Sequence, residues 1–157
     1  EYQDMISTWR AGLVLALDQA SKWLLLTTVM APPRAIEVTG FFNLVHVWNR
    51  GVSFGLFAGQ ALPPWVFVAL STAIAVALGV WLFRVADRFN ATAIGLIIGG
   101  AVGNVIDRLV HGAVYDFLDF HLGGYHWPAF NVADSAITIG ALLLVADTLF
   151  LAPRRHT

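Results

Sequence analysis

Four of the ten acidic residues fall in one stretch of the chain, between Gly99 and Gly140. They are Asp107, Asp116, Asp119 and Asp134. Long apolar runs flank this stretch, and carboxylates in or beside hydrocarbon are costly unless they are paired or functional. Two carboxylates held close together share one proton, so that one activates a water while the other polarises a carbonyl group. The first question is therefore which two of these aspartates could form a catalytic pair.

The composition is that of a membrane protein. The chain has 157 residues, of which 58% are hydrophobic and only 12% charged, and its mean hydropathy is +0.71. Soluble domains carry about a quarter charged residues, so we predict an α-helical integral membrane protein with one domain over residues 1–157. The net charge of −1 indicates no basic surface for nucleic acid. The sequence has no cysteine, which excludes disulfides, Cys-ligated metals and a Cys nucleophile.

A bundle of four transmembrane helices is predicted, each close to the ~20 residues that cross a bilayer. The spans cover residues 9–30, 64–83, 92–110 and 129–151, and the outer loops cover 31–63 and 111–128. Basic residues favour the cytoplasmic side. Those that would share one side of such a bundle are Arg10, Arg84, Arg88, Arg154 and Arg155. We therefore expect both termini in the cytoplasm and both loops in the periplasm.

The two ends of the chain carry one expectation each. The first apolar run contains Asp18 and Lys22 and has no Ala-x-Ala end, so no cleavable signal peptide is expected. Asp147 lies near the inner end of the fourth span and is expected to be a cytoplasmic surface charge.

The first outer loop is too long to be a simple connection. Residues 35–48 are rich in β-branched and aromatic side chains, which predicts a small periplasmic β-rich cradle between the first two spans. Asn49-Arg50-Gly51 marks a turn, and Ser53–Phe57 is expected to return to the lipid interface. The cradle either binds an extended peptide by strand addition or forms a lid without a ligand, and the pattern favours neither.

The first span contains an ion pair in its apolar run. Asp18 and Lys22 are four residues apart and so lie on one helical face, in the favourable order. One interpretation is a self-neutralising pair that holds helices together. The other is support for a polar site, and both can hold because such a pair faces the bundle interior.

The third span combines small residues with a polar outer end. Glycines recur on one face and favour close helix packing; they are Gly95, Gly99 and Gly103. Asn104, Asp107 and Arg108 follow. Asp107 can pair with Arg108 or with a neighbouring helix, and we expect it to brace Arg108.

Asp134 has two interpretations. Asn131 stands where a helix N-cap belongs and Asp134 follows three residues later, as in a capping box, so Asp134 could be only a cap. However, Asp134 lies near the outer start of its span, and Asp116 lies in the loop that leads to it. Both carboxylates can therefore meet at the membrane–water boundary, where water for a hydrolysis is available.

The chain resembles lipoprotein signal peptidase, also called signal peptidase II, over essentially its whole length. Five segments carry the resemblance, and in this order they are specific. They are Asp18-x-x-x-Lys22, Asn49-Arg-Gly-Val-Ser-Phe-Gly55, Gly99-Gly-Ala-Val-Gly-Asn-Val-Ile-Asp-Arg108, Val114-Tyr-Asp-Phe-Leu-Asp-Phe120 and Phe130-Asn-Val-Ala-Asp-Ser135.

The resemblance implies an intramembrane aspartyl endopeptidase of the bacterial inner membrane. Its substrates would be prolipoproteins that carry a diacylglyceryl group on a Cys, cleaved immediately before that Cys. The catalytic dyad implied is Asp116 and Asp134, and Asp119 is expected to be peripheral. The supporting positions implied are Asp18, Lys22, Asn49, Asn104, Asp107, Arg108 and Asn131.

Further partners follow from the same resemblance. Arg50 and Gly51 belong to the Asn49 motif, and Arg50 is a candidate contact for peptide or lipid headgroup. The cyclic peptide globomycin is the expected inhibitor. Membrane lipids are expected as further partners, and the protein is expected to be a monomer. No metal or cofactor is expected.

Three other functions are possible for a small membrane protein with buried charges. A small proton- or ion-coupled transporter also uses intramembrane charges, but here the charges gather at one boundary and the second span has none. A presenilin- or prepilin-type protease would need a Gly-x-Gly-Asp motif, which the sequence lacks. A zinc protease with H-E-x-x-H is excluded because the motif is absent.

The protonation of the dyad can also be predicted. Asp134 would lie in the first turn of a helix, where the dipole and free N–H groups favour negative charge. The hypothesis is that Asp134 is ionised in the free enzyme and that Asp116 holds the shared proton.

Overall fold

The computed structural model describes residues 2–51, 62–85 and 87–151, apart from the side chain of Gln3. Four helices form the bulk of the protein: α1 (Tyr2–Leu24), α2 (Pro64–Leu82), α3 (Arg88–His111) and α4 (Val132–Ala146). A π-helical turn extends α1 over Leu25–Val29, and another extends α4 over Asp147–Leu151. The expectations for Ser53–Phe57 and for Arg154 and Arg155 lie outside the described residues.

The helix boundaries differ from the predicted spans mainly at the N-terminal ends. Helix α1 begins by Tyr2 instead of Trp9, and α3 begins at Arg88 instead of Thr92. The earlier start of α3 has a local cause, because the Asp87 side chain accepts a hydrogen bond from the backbone N–H of Asn90 at 2.9 Å. Such an N-cap satisfies a donor that the helix leaves free.

Within the described ranges, three helical segments are long and apolar enough to cross a membrane: Pro64–Leu82, Arg88–His111 and Val132–Leu151. The protein is therefore a multi-pass membrane protein. Helix α1 is not one of the three, since Asp18, Gln19 and Lys22 interrupt its apolar run. All three of these side chains turn towards α3.

A four-stranded antiparallel sheet lies against one end of the helices. Its strands are β1 (Ile36–Thr39), β2 (Phe42–Asn49), β3 (Val114–Leu122) and β4 (Tyr125–His126), in the order β1-β2-β3-β4. The prediction of a mostly helical protein with a small sheet is confirmed. Strands β1 and β2 lie in the predicted loop between the first two spans, and β3 and β4, from the loop between α3 and α4, extend the sheet. The segment Val114–Phe120, in which apolar and acidic residues alternate, lies within β3.

The register of β2 against β3 sets the position of Asp116. Val47 pairs with Asp116, and Asn49 pairs with Val114. Opposite and alternate residues share a face of a sheet, so Asn49 and Asp116 lie on the same face. The chain turns directly after Asn49, whose Oδ1 accepts a hydrogen bond from the N–H of Gly51 at 2.8 Å.

Helix α3 packs against the other three helices, and its glycines allow close approaches. A Cβ atom at Gly99 would lie 2.9 Å from Cα of Ala11, and one at Gly95 would lie 3.1 Å from Cα of Ser7. Both neighbours belong to α1. Gly103 faces Asp18, which is also a residue of α1. The predicted glycine face is therefore the α1–α3 contact.

The prediction for Asp147, at the end of the bundle away from the sheet, is wrong. Asp147 is buried, not a surface charge, with only 7% of its surface exposed. Its Oδ2 accepts a hydrogen bond from Nδ2 of Asn90 in α3 at 2.8 Å. The π-helical turn that begins at Asp147 carries this carboxylate, and α3 supplies its donor.

Candidate active site

Asn131 joins the two aspartates of the expected dyad. Its Oδ1 accepts a hydrogen bond from the backbone N–H of Asp134 at 2.9 Å and so caps α4. Its Nδ2 donates to Oδ1 of Asp116 at 2.9 Å. The carbonyl of Tyr115 and Oδ1 of Asn104 lie 3.2 Å from the same nitrogen and share its two N–H groups with Asp116. One buried amide therefore fixes both the strand that carries Asp116 and the helix turn that carries Asp134.

Asn104 holds Asp134 from the side of α3. Its Nδ2 donates to Oδ1 of Asp134 at 2.9 Å. Its Oδ1 accepts from Asn131 and, at 3.3 Å, from Nζ of Lys22. The capping-box prediction was thus right about Asn131 as the cap, while Asp134 points its carboxylate towards α3.

Asp18 is a second cap of α4, contributed by another helix. Its Oδ1 accepts from the backbone N–H of Ala133 at 2.9 Å, and its Oδ2 accepts from Nζ of Lys22 at 2.8 Å. Both side chains are at most 3% exposed. The Asp18–Lys22 pair is therefore both self-neutralising and engaged with the site, as the two interpretations together allowed.

The direct pairing of Asp107 with Arg108 is replaced by contacts with α1, the other predicted alternative, although the charges of Asp107 and Arg108 still interact. Neighbouring residues on a helix do not face each other, and Asp107 turns instead towards α1. Its Oδ2 lies 2.8 Å from Nζ of Lys22. The same atom accepts a hydrogen bond from the backbone N–H of Tyr115 at 3.1 Å. Asp107 thus ties the residue before Asp116 to the bundle.

Arg108 faces the other side of the site. Its Nη2 donates to the carbonyl of Gly51 at 2.6 Å, and its guanidinium lies 5.5 Å from the centre of the Phe67 ring. Its charge also interacts with Asp134 and Asp116. The contact fixes the turn after β2 over the dyad.

Asn49 and Arg50 separate in space. Asn49 is buried and hydrogen-bonds to Asp116 through its side chain. Arg50, the next residue, is exposed. Asn49 therefore belongs with the dyad, and Arg50 is placed to meet groups outside the protein.

Asp119 lies away from the pair, although it is buried. Its Oδ2 accepts from Nδ2 of Asn43 at 3.1 Å, and its Oδ1 lies 2.9 Å from Nδ1 of His126. These partners belong to β2 and β4. Asp119 therefore stabilises the outer part of the sheet, and these two contacts do not connect it to Asp116 or Asp134.

Burial sets the protonation of Asp116. Its carboxyl is 1% exposed, and this desolvation, followed by the charge of Asp134, raises its pKa to about 8. A hydrogen bond from Asn49 and the charge of Lys22 act in the opposite direction but do not cancel the increase. Asp116 therefore holds a proton at neutral pH, which agrees with the hypothesis that it is the protonated partner.

A cavity of about 110 Å³ opens beside the dyad, between α2, α3 and α4. Its polar end is formed by Asn104 and Arg108. Its remaining wall is largely apolar and consists of Ser71, Ile74, Ile97, Ala101 and Ile137. A group with a polar head and an apolar tail matches this lining.

Sequence reasoning missed one side chain of the network. Nε2 of Gln19 lies 3.1 Å from Oδ2 of Asp18, from Oδ1 of Asp107 and from the carbonyl oxygen of Gly103, and these three acceptors share its two N–H groups. The signal was present, because an amide next to Asp18 in an apolar run also needs a polar partner.

The chain matches known proteins over most of its length. The family described as signal peptidase (SPase) II matches residues 10–150. A lipoprotein signal peptidase of Methylorubrum extorquens is 46% identical, over 95% of this chain and 91% of the relative. One of Desulforapulum autotrophicum is 48% identical, over 88% of both chains.

Two solved structures, both described as bacterial membrane enzymes, share the fold. One has a TM-score of 0.81 at 34% identity, over 92% of this chain and 93% of its own. The other has a TM-score of 0.78 at 35% identity, over 91% of this chain and 89% of its own. These similarities give no support to the transporter alternative.

Proposed function

Because the chain belongs to the signal peptidase II family, and is thus a protease that removes signal peptides from prolipoproteins, we propose that Asp116 and Asp134 are its catalytic pair. The observation that carries this proposal is Asn131, whose one amide binds the Asp116 carboxyl and the N–H of Asp134. A purely structural cap would need only the second of these contacts.

The proposed reaction uses the two carboxyls in opposite states. Ionised Asp134 takes a proton from a water, whose oxygen attacks the scissile carbonyl carbon, while Asp116 gives its proton to the carbonyl oxygen. The tetrahedral intermediate then collapses. The proton on Asp134 passes to the leaving amine as the C–N bond breaks, and the hydroxyl proton returns to Asp116. Asp134 is then ionised again and Asp116 protonated again, as before the reaction.

Each supporting residue has a role in keeping these states. Asn104 donates to Asp134 and Asn49 to Asp116, so that both carboxyls keep fixed orientations. Arg108 stabilises negative charge near the pair, since it interacts with both aspartates. We propose that it also holds the Gly51 turn over the bound substrate.

We further propose that α1 is a fourth membrane span and that the whole chain forms one domain. Both termini would be cytoplasmic, and the sheet and dyad would lie at the periplasmic face of the bacterial inner membrane. The basic residues support this orientation, because Arg10, Arg84 and Arg88 fall at the end of the bundle away from the sheet. The protein would act as a monomer.

The substrate proposed is a prolipoprotein with a diacylglyceryl group on its Cys, cut just before that Cys. The apolar wall and polar end of the cavity beside Asn104 support such a substrate. Its acyl chains and signal helix would stay in the bilayer while the peptide crosses the dyad. Arg50, which is exposed on the turn after β2, is proposed to contact peptide or lipid headgroup. Globomycin is proposed to block the same site.

The test is cleavage by the purified enzyme of one prolipoprotein in two forms, with and without the diacylglyceryl group. Cleavage of the lipidated form alone, blocked by globomycin, is expected. Equal cleavage of both forms would overturn the lipid requirement, and cleavage that persists in Asp116→Asn or Asp134→Asn would overturn the dyad. Ion uptake by proteoliposomes without peptide cleavage would favour a transporter.

A further inference from the structure

We propose that Gln19 is a positioning residue that, together with Lys22, sets the separation of the two catalytic aspartates through the backbone. This inference rests on the proposed function of Asp116 and Asp134. Gln19 touches neither of them, and its effect would pass through Asp18 and Asp107.

The two carboxylates beneath the dyad bind equivalent backbone groups. Asp18 accepts from the N–H of Ala133, which directly precedes Asp134. Asp107 accepts from the N–H of Tyr115, which directly precedes Asp116. Each catalytic aspartate is therefore attached to the bundle by a carboxylate that holds the residue before it.

Two donors on α1 connect these carboxylates. Nζ of Lys22 lies 2.8 Å from Oδ2 of Asp18 and 2.8 Å from Oδ2 of Asp107. Nε2 of Gln19 lies 3.1 Å from Oδ2 of Asp18 and 3.1 Å from Oδ1 of Asp107. Like charges at this depth repel strongly unless donors lie between them.

The amide adds a constraint that the ammonium cannot supply alone. Both donors reach the same oxygen of Asp18, but they bind different oxygens of Asp107. Asp107 is thereby held at two points, which fixes its rotation as well as its distance from Asp18. Because the carboxylate cannot rotate, its Oδ2 accepts the hydrogen bond from the N–H of Tyr115 in one fixed orientation. The carbonyl of Gly103 shares the two N–H groups of Gln19 with these carboxylates, so the amide also lies against α3.

The consequence for catalysis is geometric. Without the amide, Asp107 can rotate about the Lys22 contact, and the Tyr115 end of β3 can move relative to the start of α4. A displacement of about 1 Å at a reacting pair can cost about 100-fold in rate. The substrate contacts proposed above, in the cavity beside Asn104 and at Arg50, do not involve Gln19, so binding should be preserved.

The experiment compares three variants for kcat, KM and thermal stability with a lipidated prolipoprotein. Gln19→Met keeps the length of the side chain and removes the donors. Gln19→His places a ring N–H at the position of Nε2. Ser21→Ala, on the same helix, removes a hydroxyl that donates to the helix carbonyl of Asp18 at 2.9 Å.

We expect Gln19→Met to lower kcat about 10-fold to 100-fold with KM unchanged. Gln19→His should restore most of kcat, and Ser21→Ala should match the parent enzyme. Normal kcat in Gln19→Met would overturn the inference. So would a loss of kcat that follows thermal stability and is not restored by His, because that is the result of a merely structural role.

Failure of the inference is distinguishable from failure of the proposed function. Asp116→Asn, assayed in parallel, reports on the dyad itself. If it is inactive while Gln19→Met is normal, only the positioning role of Gln19 is wrong. If Asp116→Asn cleaves normally, the dyad assignment and the inference both fall.

Discussion

Asn131 donates a 2.9 Å hydrogen bond to the carboxyl of Asp116 from the same amide group that caps the helix of Asp134. Its oxygen and its nitrogen thus serve different partners. The oxygen is used as in any N-cap. The nitrogen makes this cap part of a site, because its bond to Asp116 fixes the strand relative to the helix.

The capping role of the Asn131 oxygen and the role of its nitrogen at Asp116 can be separated by substitution. Asn131→Asp keeps an oxygen that caps α4 but removes the amide donor to Asp116 and Asn104. We expect a folded protein with a rate at least about 10-fold lower, because the group that orients Asp116 is lost and a charge is added beside it. Activity and thermal stability should be measured together. A variant that keeps full activity would show that the cap alone is needed.

The dyad assignment predicts a sharp contrast among aspartates. Asp116→Asn and Asp134→Asn should each lose about 10²–10⁴-fold in rate, as expected when a general acid or base is removed. Asp119→Asn is the matched control, because this residue is also a buried aspartate of the outer part of the protein but binds Asn43 and His126. It should cleave at close to the parent rate. The measurement is turnover of a lipidated prolipoprotein, with circular dichroism to verify folding.

The raised pKa of Asp116 predicts how activity depends on pH. If the protonated carboxyl is required, kcat/KM should fall about tenfold per pH unit above pH about 8, where the group loses its proton. A profile that stays flat well above that pH would contradict the role of Asp116 as the acid.

Stability should depend on the same proton. The folded protein keeps it up to a pKa of about 8, whereas the unfolded chain releases it near 3.8. The folded state therefore binds more protons between these values, so this part of the stability is complete below about 3.8 and is lost as pH rises towards about 8. Melting temperatures of the parent and of Asp116→Asn over this range would show it. The Asn variant, which has no proton to lose there, should decline less.

Gly103 should tolerate no side chain. A Cβ atom there would collide with Oδ2 of Asp18, which is bound to Lys22. Gly103→Ala should therefore lower both thermal stability and activity, since Asp18 would be displaced from the N–H of Ala133. Gly79→Ala is the control, because a Cβ atom at Gly79 in α2 meets nothing within 4 Å. That change should be neutral or stabilise by up to about 1 kcal/mol, as Gly to Ala does in a helix. Equal effects of the two changes would contradict the proposed contact.

The sequence by itself determined the class of protein, the approximate helices and the residues that had to be paired. Hydropathy and composition are local properties, so they showed a membrane protein without reference to any contact. A charged or amide side chain in an apolar run needs a partner whatever the fold, which singled out the pair Asp18 and Lys22 and, separately, the polar end of the third span with Asn104 and Asp107.

Only the tertiary structure decided which partner each of them has. Asp107 was expected to meet Arg108, its neighbour, but it binds Lys22 and the backbone of Tyr115. Asp18 caps a helix 115 residues away in the chain, and Gln19 reaches Asp107 across 88 residues. Helical periodicity fixes the face on which a side chain lies but not what stands opposite. That depends on how closely the glycines of α3 let the helices approach, and on β2 and β3 from separate loops pairing into one sheet.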